Sequence, residues 1–147
     1  MLLHTASEGI AFAKGLEKES ATFYEELATR WPAEEETFLA FASANRKNVA
    51  EIDRTYYGVI TDAIEGGFCF DLDPASYVVH AQPFETTSIA DAVTAAIASE
   101  ETIIRFYSDA VEQSKPLMAD VPRVFVAIAK KHQKRLAALQ AMFEKEV

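Results

Sequence analysis

Eight polar side chains stand where a helical protein ought to keep apolar ones. Residues three and four apart on a helix share a face. One such stripe reads Ile10, Ala13, Glu17, Ser20, Tyr24, Leu27, and a second reads Val93, Glu100, Ile103, Tyr107, Ala110. Two more read Phe38, Phe41, Asn45, Asn48, Ile52 and Phe125, Ile128, His132, Arg135, Leu139, Met142. Each is apolar except near its middle. Stacked side by side, the interruptions meet at one depth as a cluster of Glu17, Asn45, Asn48, Glu100, His132 and Arg135, with Tyr24 and Tyr107 one or two turns away. Carboxylates with an imidazole are metal-ligand chemistry. Carboxylates with a guanidinium and amides are hydrogen-bonded ion-pair chemistry.

Charge separates these two possibilities. A pair of divalent metal ions needs several carboxylates to offset four positive charges, whereas this layer offers two carboxylates, Glu17 and Glu100, and one imidazole, His132. It also brings its own cation, Arg135. Unit charges about 4 Å apart at an effective dielectric near 20 interact by roughly 4 kcal/mol, so a guanidinium beside a divalent ion suffers roughly twice that as repulsion. The expected arrangement places Arg135 between Glu17 and Glu100, with Asn45 and Asn48 satisfying the leftover donors and acceptors and no cofactor present. The alternative is one zinc or iron ion held by Glu17, Glu100 and His132, with Arg135 swung aside. Tyr24 and Tyr107 are expected to be structural, each bonding a nearby carboxylate or carbonyl.

Four helices must position these residues. Helix one is expected from about Ser7, as N-cap, to Trp31-Pro32, and helix two from about Ala33 to Val59, opening on the acidic run Glu34-Glu35-Glu36. Residues 61–87 break the period with Gly66-Gly67, Pro74 and Pro83, but Phe68, Phe70, Tyr77 and Phe84 mark them as a crossover that packs down. Helix three begins near Ser88, paired with Asp91 in the manner of a capping box, and ends near Gln113. Pro122 fits the first turn of a fourth helix running to about Glu146. The fold class is all-α. Residues 1–147 form one domain, a four-helix bundle of two helical hairpins joined by one long crossover.

The hairpins repeat each other. Glu17 and Tyr24 match Glu100 and Tyr107 in spacing and in the Phe-Tyr that closes each segment. Phe38-x-x-Phe41-x-x-x-Asn45-x-x-Asn48 parallels Phe125-x-x-Ile128-x-x-x-His132-x-x-Arg135. Across the four helices, though not the crossover, this pattern resembles rubrerythrin-related proteins of the ferritin-like superfamily. The resemblance implies a di-iron layer with one Glu from each of two helices and a Glu-x-x-His pair from each of the other two. Glu17 and Glu100 match the first kind. At the Glu-x-x-His positions stand Asn45-x-x-Asn48 and His132-x-x-Arg135, so four of the six implied ligands are changed. The expectation is therefore a degenerate di-iron site and a non-catalytic scaffold or interaction module. The alternative is an oxidoreductase of the rubrerythrin type acting on peroxide or dioxygen with a reduced iron or zinc site. Family likeness and surplus aromatic residues imply a homodimer, with helix exchange permitted by the crossover.

Composition bounds the rest. A formal charge of −9 disfavours nucleic acid and anionic membranes as partners. Lys130, Lys131 and Lys134 look basic when read linearly, but on a helix they face solvent while His132 and Arg135 turn inward. The absence of a basic leader followed by an apolar run points to the cytoplasm. The single cysteine, Cys69, has no partner for an internal disulfide and is expected to be buried and inert. His4 and His80 have no companion at metal-ligand spacing.

Overall fold

The computed structural model describes Leu3 and residues 6–60, 71–79, 88–114 and 120–146. Within them run α1 (Ala6–Arg30), α2 (Glu35–Ile60), α3 (Ile89–Ser114) and α4 (Asp120–Glu146), and among the described residues there is no strand. The expectations for Phe68, Cys69, Phe70, Phe84, Gly66-Gly67, His4 and His80 lie outside the described residues.

Helix boundaries follow local chemistry. Ser88 Oγ accepts from the Asp91 backbone N–H at 3.1 Å, so Ser88 caps α3 as its sequence suggests. Pro122 lies in the first turn of α4, where its missing N–H costs nothing. Two expectations are corrected. Ser7 is not an N-cap, since α1 already starts at Ala6. The turn after Trp31 is a tight 3-10 turn, Pro32–Glu34, before α2 proper begins at Glu35; Pro32 fixes φ there and cannot donate back into α1.

Contacts between helices give the topology. Lys14 meets Asp53 and Glu25 meets Arg46, so α1 and α2 run antiparallel. Tyr107 packs on Phe125 while Glu100 reaches Arg135, so α3 and α4 do likewise. Phe12 lies against Phe106 and Tyr24 bonds Glu100, so α3 also runs against α1 and therefore parallel to α2. The connection from α2 to α3 must then climb the bundle, about 39 Å for helices of 26 residues. Its described part is packed down, as expected of Tyr77. Leu3 and Leu72 exchange backbone hydrogen bonds. A 3-10 turn, Pro74–Tyr77, lays a buried Tyr77 against Phe12 and Phe106, and the Tyr77 hydroxyl donates to Asp109 at 2.5 Å. Arg105 stacks on that ring and donates to the Ser76 carbonyl.

The apolar interior is split. Ile10, Leu16, Ile52, Phe106, Phe125 and Ile128 belong to one cluster, and Leu27, Phe38, Val93, Ala96 and Leu139 to another. Between them on every helix lie the buried polar residues.

Candidate functional site

The eight residues singled out in the sequence meet in that layer. Glu17, Asn45, Glu100, Tyr24 and Tyr107 are fully inaccessible, Asn48 and His132 nearly so, and Arg135 is buried. Each helix contributes because its apolar positions pin its rotation, so the polar residues at that depth have nowhere else to point.

Glu17 on α1 is surrounded by donors. Its Oε1 accepts from Asn45 Nδ2 at 2.7 Å and Asn48 Nδ2 at 3.0 Å. Its Oε2 accepts from the Tyr107 hydroxyl at 2.7 Å and faces His132 Nε2 at 2.7 Å. Glu100 on α3 faces His132 Nδ1 through Oε1 at 2.5 Å, and its Oε2 accepts from the Tyr24 hydroxyl at 2.8 Å and Arg135 Nη1 at 3.4 Å. Each tyrosine thus bonds the glutamate of the opposite hairpin, a reciprocal pair that mirrors the sequence repeat.

The sequence expectation placed Arg135 between the two glutamates. The bridging group is instead His132, whose ring nitrogens each meet a different carboxylate. Arg135, one turn further along α4, touches Glu100 only. It also donates to Asn45 Oδ1 at 2.9 Å and the Phe41 carbonyl at 2.9 Å, and its guanidinium carbon lies over the Tyr24 and Phe41 rings, 5.1 and 5.0 Å from their centroids. The longer side chain reaches away from the glutamates toward the upper aromatics, while the short imidazole is already level with both acids. Ser20 adds a bond to Asn45 Oδ1 at 3.3 Å. Neither Ser20 nor the Phe41 carbonyl figured among the expected cluster: a backbone acceptor leaves no mark in sequence, but Ser20 sat in plain view on the α1 stripe.

Facing ionised carboxylates at hydrogen-bond distance, both ring nitrogens act as donors and His132 is an imidazolium. Burial alone would push its pKa down; attraction to Glu17, with hydrogen bonds to Glu100 and Glu17, holds it up at about 9. Burial would likewise raise Glu17, but the His132 charge and bonds from His132, Asn48 and Tyr107 hold it at about 2. Burial and the Glu17 carboxylate push Tyr107 well above the usual phenol range, and burial and Glu100, opposed by Arg135, do the same to Tyr24. Two carboxylates, one imidazolium and one guanidinium sum to zero, which is what a dry interior tolerates.

The donor set does not fit a di-metal centre, or a single ion on Glu17, Glu100 and His132. The two carboxylates approach opposite edges of the ring, so the three groups do not converge on a point, and both ring nitrogens are already bonded to a carboxylate. Among the described residues no group of three or more His, Cys, Asp or Glu side chains is arranged to hold a metal ion. Asn48 Oδ1, buried without a partner among the described residues, is a neutral oxygen that supplies none of the missing negative charge. No described helix is long and apolar enough to cross a membrane. No family model, curated protein or solved structure matches this chain.

Proposed function

We propose that this chain is a ferritin-like, rubrerythrin-related bundle in which an internal ion-pair layer stands in place of a di-iron centre, and that it works as a non-catalytic scaffold or interaction module. The supporting observation is the His132 imidazole clamped between Glu17 and Glu100 at 2.7 and 2.5 Å. A group that would have to give up a proton and turn toward a metal is already saturated by the residues that would share that metal. The bundle's outer faces are what remain to act, with a second copy of the chain as the expected partner and the cytoplasm as the expected setting.

Elemental analysis of protein purified without chelator and without a metal-affinity tag tests this. Less than a tenth of an equivalent of iron or zinc is expected, and a stoichiometric metal would overturn it. The burial of Glu17, Glu100 and His132 in one layer favours a second reading, a reduced metal site of the oxidoreductase kind. That reading requires uptake of ferrous or zinc ion that is lost in His132→Ala, and peroxide turnover above that of free iron.

A further inference from the structure

The two hairpins have matching designs but unequal charge. At the layer, α1–α2 brings Glu17 with the neutral Asn45 and Asn48, so its inner face carries one negative charge. The α3–α4 hairpin brings Glu100 with His132 and Arg135, at the positions that correspond to Asn45 and Asn48, so its inner face carries one positive charge. Five bonds of the layer join the hairpins: Tyr24 to Glu100, Tyr107 to Glu17, His132 to Glu17, and Arg135 to both Asn45 and the Phe41 carbonyl.

We infer that this layer is a pairing code: the inner face of the α1–α2 hairpin accepts a helical hairpin with one net positive charge at its middle, and the chain's own α3–α4 fills that place. Apolar stripes are non-directional, and both hairpins present phenylalanine and aliphatic faces above and below the layer, so apolar burial distinguishes poorly between a hairpin and its structural double. Charge distinguishes sharply. Two α1–α2 faces, from two copies of the chain, would bury two carboxylates with no cation. Two α3–α4 faces would bury four cationic side chains with two carboxylates. Only the mixed pair is neutral, and a buried charge without its counter-charge is strongly penalised. Single buried polar positions fix register and partner in coiled coils by this physics. The inference concerns how the bundle chooses its halves and holds whether or not the scaffold reading does.

The test exchanges the code within the full chain. Asn45→His with Asn48→Arg gives the first hairpin the cations; His132→Asn with Arg135→Asn removes them from the second. Each half-exchange leaves two uncompensated charges in the layer and is expected to lower the thermal midpoint by about 10 °C or more, or to abolish folding. The four-residue exchange restores neutrality with the hairpins' signs reversed, and is expected to regain most of that loss. A gentler pair guards against overpacking: Glu17→Gln and His132→Asn each unbalance the layer by one charge, and the double variant restores balance and is expected to melt above the less stable of the singles. Rescue in either set supports the code. Losses that simply add in both sets overturn it, because side chains acting only by packing have no reason to recover when the charges balance again.

Discussion

Taking the proton off His132 should cost this protein a defined amount of stability in a defined pH window. The folded state holds that proton to about pH 9, against 6.5 for a free imidazole. At about 1.4 kcal/mol per pH unit, the difference is worth about 3 kcal/mol, and the side chain's complete burial leaves solvent no part in screening it. Because the folded pKa is raised, the contribution is complete below 6.5 and drains away as pH climbs from 6.5 to about 9. Glu17 supplies the opposite flank: its folded pKa is depressed from 4.5 to about 2, so its contribution is complete above 4.5 and is lost as pH falls toward 2. Both flanks measure largely the same ion pair, so neither is added to the other. The layer's contribution should therefore peak between 4.5 and 6.5 and decline well before general alkaline denaturation. Urea unfolding of the parent protein at pH 5.5, 7.5 and 9 should show roughly 3 kcal/mol lost across the series. The same series on His132→Asn should be nearly flat over that range. An NMR titration of the ring carbons reads the group directly. A ring titrating near 6.5, or a parent profile parallel to that of His132→Asn, would refute the imidazolium bridge.

Three further outcomes follow from the same contacts. Arg135→Ala removes a charged donor from Asn45 Oδ1, which keeps only the longer bond from Ser20, and from the Phe41 carbonyl, and leaves Glu100 short of a cation, so a loss of about 3–5 kcal/mol is expected in chemical unfolding. Arg135→Lys should recover little of it, because one compact ammonium cannot reach Asn45 Oδ1 and the Phe41 carbonyl together as the two guanidinium nitrogens do. Tyr24→Phe and Tyr107→Phe each remove one hydrogen bond to a buried carboxylate, at about 1.5–3 kcal/mol apiece, and the two costs should be similar; a silent variant would deny the reciprocity. Tyr77→Ala removes a ring packed on Phe12 and Phe106 together with the bond to Asp109, and should cost about 3–5 kcal/mol and speed limited proteolysis between α2 and α3; an unchanged cleavage rate would mean that Tyr77 does not anchor the crossover.

What the sequence disclosed of this architecture was what periodicity can encode. Glu100 announces itself because its neighbours three and four residues away, Ala96, Ile97, Ile103 and Ile104, are all apolar; Glu17 does so because it continues the stripe begun by Ile10 and Ala13, and the Trp31-Pro32 pair marks where the first helix must stop. The depth of the layer was legible for the same reason, since four interruptions at matching places in four stripes have only one way to stack. The identity of the bridging cation was not legible. His132 and Arg135 are three residues apart on one face of α4, and a period of 3.6 cannot say which of them lies level with both acids. That is decided by reach: an imidazole is short enough to be caught between carboxylates facing each other across the bundle, and a guanidinium on a longer stem extends past them until it finds the Phe41 carbonyl and two aromatic faces. Chain length in the side chain thus sorts two cations into two jobs, one binding the acids of the two hairpins together and one tying the second hairpin to the first hairpin's amide and backbone. A layer built this way needs both, because His132 alone would leave the interior with one negative charge too many, and Arg135 alone would leave Glu17 facing only neutral donors.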